Sequence, residues 1–271
     1  MSEQAEKARR FLELHHGDAP LLLANAWDSG SARLLASLGF KALATTSSGF
    51  AATLGRLDGS VTREEAIAHA ASIVAASGLP VSADLENGFA DEPAEVARTI
   101  ELALDAGLAG CSVEDYSGDD EAPIYEVALA AERVAAAAEA AHAGPVHLVL
   151  TARAENHLHG RADLDDTIAR LQAFERAGAD VLYAPGLSDV QDIRRVVESV
   201  TLPVNVLALA GAPPVNALGS LGVARISLGG AFAFAALGAV VAAARELREQ
   251  GTYGYWANAS VGAKAARSAF G

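Results

Sequence analysis

One cysteine, Cys111, is all that the 271 residues contain. No internal disulfide can form from it, and a reducing compartment is implied. Aromatic residues make up only 6% of the chain, so a core must be built largely from aliphatic side chains and alanine. Basic residues are also in short supply: 20 Lys and Arg stand against 34 Asp and Glu, a net charge of −14. That balance argues against nucleic acid and anionic membrane as partners, since both need clustered cations. It also means that an anionic substrate must be drawn in by a local positive feature, such as a bound cation. Long apolar runs are missing too. The longest low-charge stretch, residues 231–244, ends at Arg245 and is shorter than the roughly 20 residues a membrane span requires. Residues 1–10 mix acids and bases without the apolar segment of a signal peptide. The expectation is a cytoplasmic protein.

Apolar residues nevertheless reach 51%, enough for one substantial core. Short apolar runs that read as buried strands cover 21–25, 42–46, 81–84, 111–115, 147–152, 181–183, 204–207 and 224–228. Longer alanine-rich helical stretches follow them at 31–38, 63–77, 93–106, 125–142, 165–177, 189–199, 213–221 and 232–250. Ile67, Ala70, Ala71 and Val74 keep the spacing of a core-facing helical stripe. Four helix-to-strand joints share a glycine, at Gly39, Gly107, Gly178 and Gly222, where a left-handed cap stops the helix. Eight strand–helix units point to an α/β fold, a single (β/α)8 barrel; a doubly wound open sheet is the alternative. One domain, 1–271, is expected, with 1–250 forming the barrel and an N-terminal extension, and 251–271 a tail.

Barrel chemistry sits at the carboxyl ends of the strands, and several of these strands end in charge. Strand three runs Ala83-Asp84-Leu85-Glu86, which by alternation puts Asp84 and Glu86 on one face. Strand four runs Cys111-Ser112-Val113-Glu114-Asp115, with Ser112 and Glu114 facing one way and Cys111, Val113 and Asp115 the other. Asp84, Glu86 and Glu114 could meet at the mouth, where a hard cation such as Mg²⁺ or Mn²⁺ would relieve their repulsion; singly, each could equally cap a helix or face solvent. Arg153, closing strand five, suits either a clamp on a substrate carboxylate or a structural ion pair. Thr45-Thr46-Ser47-Ser48-Gly49-Phe50 reads as a small-residue turn whose amides could meet an anion. His157-Leu158-His159 lacks a third ligand at zinc-motif spacing, and Ser227-Leu228-Gly229-Gly230 suits close packing better than a phosphate cradle. Trp27 and Asp28 read as the end of strand one and the cap of the next helix.

Along nearly its whole length the chain resembles the isocitrate lyase / phosphoenolpyruvate mutase superfamily. The resemblance rests on Asn25-Ala26-Trp27-Asp28-Ser29-Gly30-Ser31-Ala32-Arg33, Ser48-Gly49-Phe50, Gly55-Arg56-Leu57-Asp58-Gly59, Ala83-Asp84-Leu85-Glu86-Asn87-Gly88-Phe89, Ser112-Val113-Glu114-Asp115 and Ala152-Arg153-Ala154-Glu155. It implies Asp84 as the direct Mg²⁺ ligand, with Asp58, Glu86 and Glu114 holding metal-bound waters. Ser48, Gly49 and Phe50 would receive one acidic end of a substrate and Arg153 would bind its carboxylate. Asp58, Glu114 and Arg153 are thereby the candidate catalytic groups. Glu86 stands where relatives often carry Asp. The resemblance further implies a homo-oligomer, dimer or tetramer, with the eighth helix swapped, and 232–244 is apolar enough to be buried on more than one side.

One departure qualifies this resemblance. The lyases of this superfamily carry a mobile loop after strand four with a Lys/Arg-Cys-Gly-His motif, whose cysteine is the general acid. Here residues 115–123 contain no lysine, cysteine or histidine, and Cys111 is turned away from Glu114 by alternation. Tyr116 is the nearest hydroxyl in sequence. The leading expectation is a Mg²⁺-dependent lyase cleaving a C–C bond in a small 2-hydroxy or 2-oxo polycarboxylate. The alternatives are P–C bond chemistry on a phosphonopyruvate-type substrate, or a 2-oxo-acid-binding protein with little turnover.

Overall fold

The computed structural model describes residues 2–119 and 121–271. Its strands are β1 (Leu21–Asn25), β2 (Leu43–Ala44), β3 (Val81–Asp84), β4 (Gly110–Glu114), β5 (Val149–Arg153), β6 (Val181–Tyr183), β7 (Val204–Leu207) and β8 (Arg225–Ser227). Each pairs in parallel with its neighbour in chain order. β8 returns to β1 through Leu21↔Arg225 and Leu23↔Ser227, so the sheet is closed and the open doubly wound alternative is excluded. The helices are α1 (Glu3–Leu14), α2 (Ser29–Ser37), α3 (Ser47–Thr53), α4 (Arg63–Ser77), α5 (Pro93–Asp105), α6 (Val127–His142), α7 (Leu164–Arg176), α8 (Val190–Ser199), α9 (Val215–Ser220), α10 (Ala231–Gln250) and α11 (Trp256–Phe270). Gly39, Gly107, Gly178 and Gly222 take φ of 92°, 82°, 100° and 87°, the left-handed conformation expected of the four joints.

The main core lies between strands and helices. Cys111 and Val113 are buried there with Ile100, Leu108 and Leu150, while Glu114, on the opposite face of β4, turns into the mouth. The N-terminal extension forms α1, which stops the bottom of the barrel. Ala5, Ala8 and Phe11 pack against Leu21, Leu23, Val149 and Val181. This close docking needs Gly110, where an added Cβ would stand 2.6 Å from the Phe11 ring.

Two features differ from the sequence reading, and a third bears on the expected helix swap. The small-residue turn after β2 is a helix, α3, because Thr46 caps it. The stretch 251–271 is not a plain tail: it contains α11, which packs on α2. The third concerns α10, expected to be buried on several sides. Within one chain only Ala233 of α10 is buried, and Phe234, Leu237, Val240 and Val241 are exposed. The barrel therefore lacks a covering eighth helix of its own.

Candidate active site

At the carboxyl ends of the strands, Arg153 sits among three carboxylates. Its Nη1 donates to Asp84 Oδ1 at 2.8 Å and its Nε to Glu155 Oε1 at 2.9 Å, while Nη2 lies 2.9 Å from Glu114 Oε2. The guanidinium also lies 5.3 Å from the centre of the Tyr183 ring. A cavity of about 220 Å³ opens beneath, with Asp84, Arg153, Ser47, Ser48, Tyr183 and Arg225 in its walls. A second, wider hollow of about 820 Å³ flanks it, bounded by Asp58, Glu86, Glu114 and Tyr116.

Local chemistry fixes these groups one by one. Asp84 ends β3, its amide donating to Thr45 Oγ1 at 2.9 Å and its Oδ2 accepting from the Ser47 amide at 3.1 Å. Glu86 does not continue the strand. It stands at φ 48°, an unusual conformation for a residue with a side chain, and its carbonyl is held by the Glu114 amide at 3.0 Å. A turn, not strand alternation, therefore delivers Glu86 to the mouth. Asp58 comes from the exposed loop between α3 and α4. Ser48 lines the cavity, but Gly49 and Phe50 do not. The Gly49 amide is taken by Thr46 Oγ1 at 3.3 Å, and a Cβ there would lie 2.6 Å from Thr46 Cγ2. The Phe50 ring turns back to stack on His69 with centroids 3.9 Å apart.

The electrostatics are those of a site with too many acids. Burial, reinforced by Asp84 and Asp58, pushes the Glu86 carboxyl up to about 7. Partial desolvation at the mouth and the Asp84 charge also raise Asp58, exposed though its loop is, and burial raises Glu114 strongly despite Arg153. Burial alone would lower Arg153, yet Glu114, Glu155 and Asp84 hold it well above the ordinary guanidinium value. Among the described residues neither Asp58 nor Glu86 has an ion-pair partner within 4.0 Å. Carboxylate oxygens suit a hard divalent cation, although among the described residues no three of these acids bring ligand oxygens within 4.8 Å of one another.

Several groups were not foreseen. Glu155 sits two residues beyond Arg153, and the same-face spacing could have revealed it. It is held in turn from behind: its amide donates to Asp115 Oδ1 at 2.8 Å, and Asp115 pairs with buried Arg170 at 3.1 Å. Arg225 was hidden inside a strand read as apolar. It is buried, donates to Asn205 Oδ1 at 2.9 Å and Thr151 Oγ1 at 3.1 Å, and has no carboxylate partner among the described residues. It supplies the uncompensated positive charge beneath the cavity.

The remaining sequence candidates fall into place around this centre. Cys111 is buried on the helix-facing side of β4, its thiol pushed far up by burial. Tyr116 stacks on His159 with centroids 3.8 Å apart, on the wall of the wider hollow. Asp120, within the loop after β4, lies outside the described residues. The Leu228 and Gly229 amides are both spent on Asn25 Oδ1 at 3.0 Å, so they form no anion cradle, and a Cβ on Gly230 would meet Ser48 Oγ at 2.6 Å. Asp28 caps α2 through the Ser31 amide.

Comparison with known proteins agrees with this geometry. The family profile described as phosphoenolpyruvate phosphomutase matches residues 11–248. The crystal structure of a candidate lyase/mutase from Burkholderia cenocepacia J2315 superposes with a TM-score of 0.91 at 52% identity, covering 93% of this chain and 91% of that one. An oxaloacetate decarboxylase of Pseudomonas fluorescens Pf-5 is 29% identical over 263 residues, 89% of this chain and 84% of its own. A 2-methylisocitrate lyase of Halalkalibacterium halodurans is 29% identical over 204 residues, 74% of this chain and 67% of its own. A closed eight-stranded barrel with acids and one arginine at its mouth, matched by that profile along most of its length, belongs to the phosphoenolpyruvate mutase / isocitrate lyase superfamily of enzymes.

Proposed function

We propose that this chain is a divalent-metal-dependent lyase that breaks a C–C bond in a small 2-oxo or 2-hydroxy polycarboxylate. The carrying observation is Arg153 held by Asp84, Glu114 and Glu155 at 2.8–2.9 Å over the cavity. Relatives named for 2-methylisocitrate and oxaloacetate support the substrate class. In this reading Asp84 would hold Mg²⁺ or Mn²⁺, with Asp58, Glu86 and Glu114 as the acids that would complete its oxygen shell through water. A cation held there would supply Lewis-acid stabilisation of the negative charge that develops on a 2-oxo acid.

The chain's own groups do the remainder. Arg153, whose Nη1 and Nη2 each keep one N–H beyond those given to Asp84 and Glu114, offers these to a substrate carboxylate. Arg225, below, adds the positive charge that an acid-rich mouth needs to admit an anion. Ser48 presents its hydroxyl to the other acidic end, while Gly49 lets α3 pack closely on Thr46, Trp27 and Ala233 and Phe50 anchors the helix on His69. Glu114, whose burial raises its proton affinity, serves as the base.

A second reading is favoured by the loop after β4, which has no lysine, cysteine or histidine to act as proton donor. Transfer of the phosphoryl group of a phosphonopyruvate-type acid from carbon to its enolate oxygen needs no carbon protonation. A panel of polycarboxylates and phosphonates with Mg²⁺, followed for glyoxylate, pyruvate and phosphoenolpyruvate, separates the two. Glyoxylate or pyruvate from a polycarboxylate supports the lyase, and phosphoenolpyruvate from a phosphonopyruvate-type acid supports the second reading. Stabilisation by oxalate without any turnover overturns both in favour of a binding protein. In the same reading the enzyme works in the cytoplasm as a homo-oligomer, with α10 covering a partner's barrel. No helix among the described residues is long and apolar enough to cross a membrane.

A further inference from the structure

We propose that His142, His147 and Asp180 form a second metal site, for a transition ion such as Zn²⁺ or Ni²⁺, on the face of the barrel opposite the mouth. His142 ends α6, His147 precedes β5 and Asp180 precedes β6, so all three lie at the amino ends of the strands. His142 Nε2 stands 3.0 Å from Asp180 Oδ2, and His147 Nε2 stands 2.8 Å from Oδ1. The three ligand atoms lie within 4.8 Å of one another. Ligands around one zinc ion, at metal–ligand distances of about 2.0–2.2 Å, are themselves roughly 3–3.5 Å apart. With Oδ1 as the carboxylate ligand, the edge to His147 Nε2 is already close to the required length, and the two edges to His142 Nε2, each within 4.8 Å, close by a tilt of the two stacked rings, whose centroids are 4.0 Å apart.

The carboxylate is held independently of the histidines. The Leu150 amide donates to Asp180 Oδ2 at 2.8 Å, the outer hydrogen bond that orients a metal-ligating carboxylate and leaves Oδ1 available. Neutral imidazoles become ligands by carrying their proton on Nδ1 instead of Nε2. Side-chain exposures of 45% for His147, 27% for His142 and 13% for Asp180 leave the ion open to water on one side. Two imidazoles with one carboxylate suit Zn²⁺, Co²⁺, Ni²⁺ or Cu²⁺, whereas the all-oxygen mouth suits Mg²⁺ or Mn²⁺. The ion would tie the end of α6 to the starts of β5 and β6, a role in stability separate from turnover.

The test is calorimetric titration of Ni²⁺, and separately Zn²⁺, into the full chain in excess Mg²⁺. One equivalent should bind to the wild type and raise its melting temperature. His147→Gln, at the most exposed ligand, should weaken that binding more than about tenfold, the loss an outer-shell change alone can cause. The same variant should keep its Mg²⁺-supported turnover, and His142→Gln repeats the measurement at the second imidazole. Asp84→Asn, at the mouth, should leave the equivalent in place. Absence of the equivalent in the wild type, its survival in both histidine variants, or its loss in Asp84→Asn would overturn the proposal.

Discussion

Asp84 takes the Arg153 guanidinium on one oxygen and the Ser47 amide on the other, so three elements converge on a single carboxylate. Removing it takes away the proposed direct metal ligand and frees Arg153 to collapse onto Glu114 and Glu155. Asp84→Ala should therefore lower metal-dependent turnover by at least about a hundredfold, the scale of losing one preorganised electrostatic contact, with the fold intact. Steady-state rates at saturating Mg²⁺ beside circular dichroism check this; wild-type turnover in the variant sinks the site assignment. Asp84, Glu114 and Arg153 were legible because charge at the end of an apolar strand is conspicuous. Glu86 was legible as a residue but not in its geometry, since a left-handed turn leaves no trace in a period-two pattern. The backward turn of Phe50 was illegible, because His69, its stacking partner, lies 19 positions away on α4.

At the scale of elements, the facing of β4 decides which groups can exchange protons with substrate. Cys111 points into the helix-facing core and Glu114 into the mouth. Cys111→Ser, and thiol alkylation short of unfolding, should leave turnover within a few-fold of wild type. Tyr116→Phe in the same assay tests the nearest hydroxyl, since a general acid contributes about 10²–10⁴-fold. A hundredfold loss in the cysteine variant, at normal stability, would mean that β4 faces the other way. The plug, α1, carries a second element-scale consequence. His15, just past its end, is buried against Arg225, and burial followed by that charge lowers it from 6.5 to about 3. The unfolded chain thus takes up a proton below pH 6.5 that the folded chain refuses until about pH 3. Its contribution to stability is complete above 6.5 and is lost as the pH falls towards 3. His15→Gln should remove this dependence. The wild-type slope of unfolding free energy against pH, measured by denaturant titration, should exceed the variant's by up to about 1.4 kcal/mol per unit in that window. Equal slopes would place the histidine in water.

For the whole molecule, the exposed face of α10 is the feature that a single chain does not explain. Phe234, Leu237, Val240 and Val241 stand in solvent on a helix that leaves its own barrel, and an apolar surface of this kind marks an association site. Sedimentation should give a dimer or tetramer, and a paired Phe234→Asp, Val240→Asp variant should sediment at the mass of one chain, with reduced melting temperature. A wild type that sediments as a monomer at micromolar concentration rules out the swapped-helix assembly.

By itself the sequence determined the strand–helix alternation, the glycine joints, the outward thiol of Cys111 and the strand-end acids. All of these follow from local spacing, from the need of a buried strand to be apolar, and from the few residues that tolerate a left-handed cap. Closure of the sheet, α1 as its stopper, α3 in place of a loop and α10 as an uncovered helix were decided only in three dimensions. So was the placing of Arg225 beneath the cavity and of His142, His147 and Asp180 together at the far end. Each of these depends on partners distant in the chain, such as Leu21 with Arg225 or His147 with Asp180, and distance along the chain carries no information about which strand edges will meet.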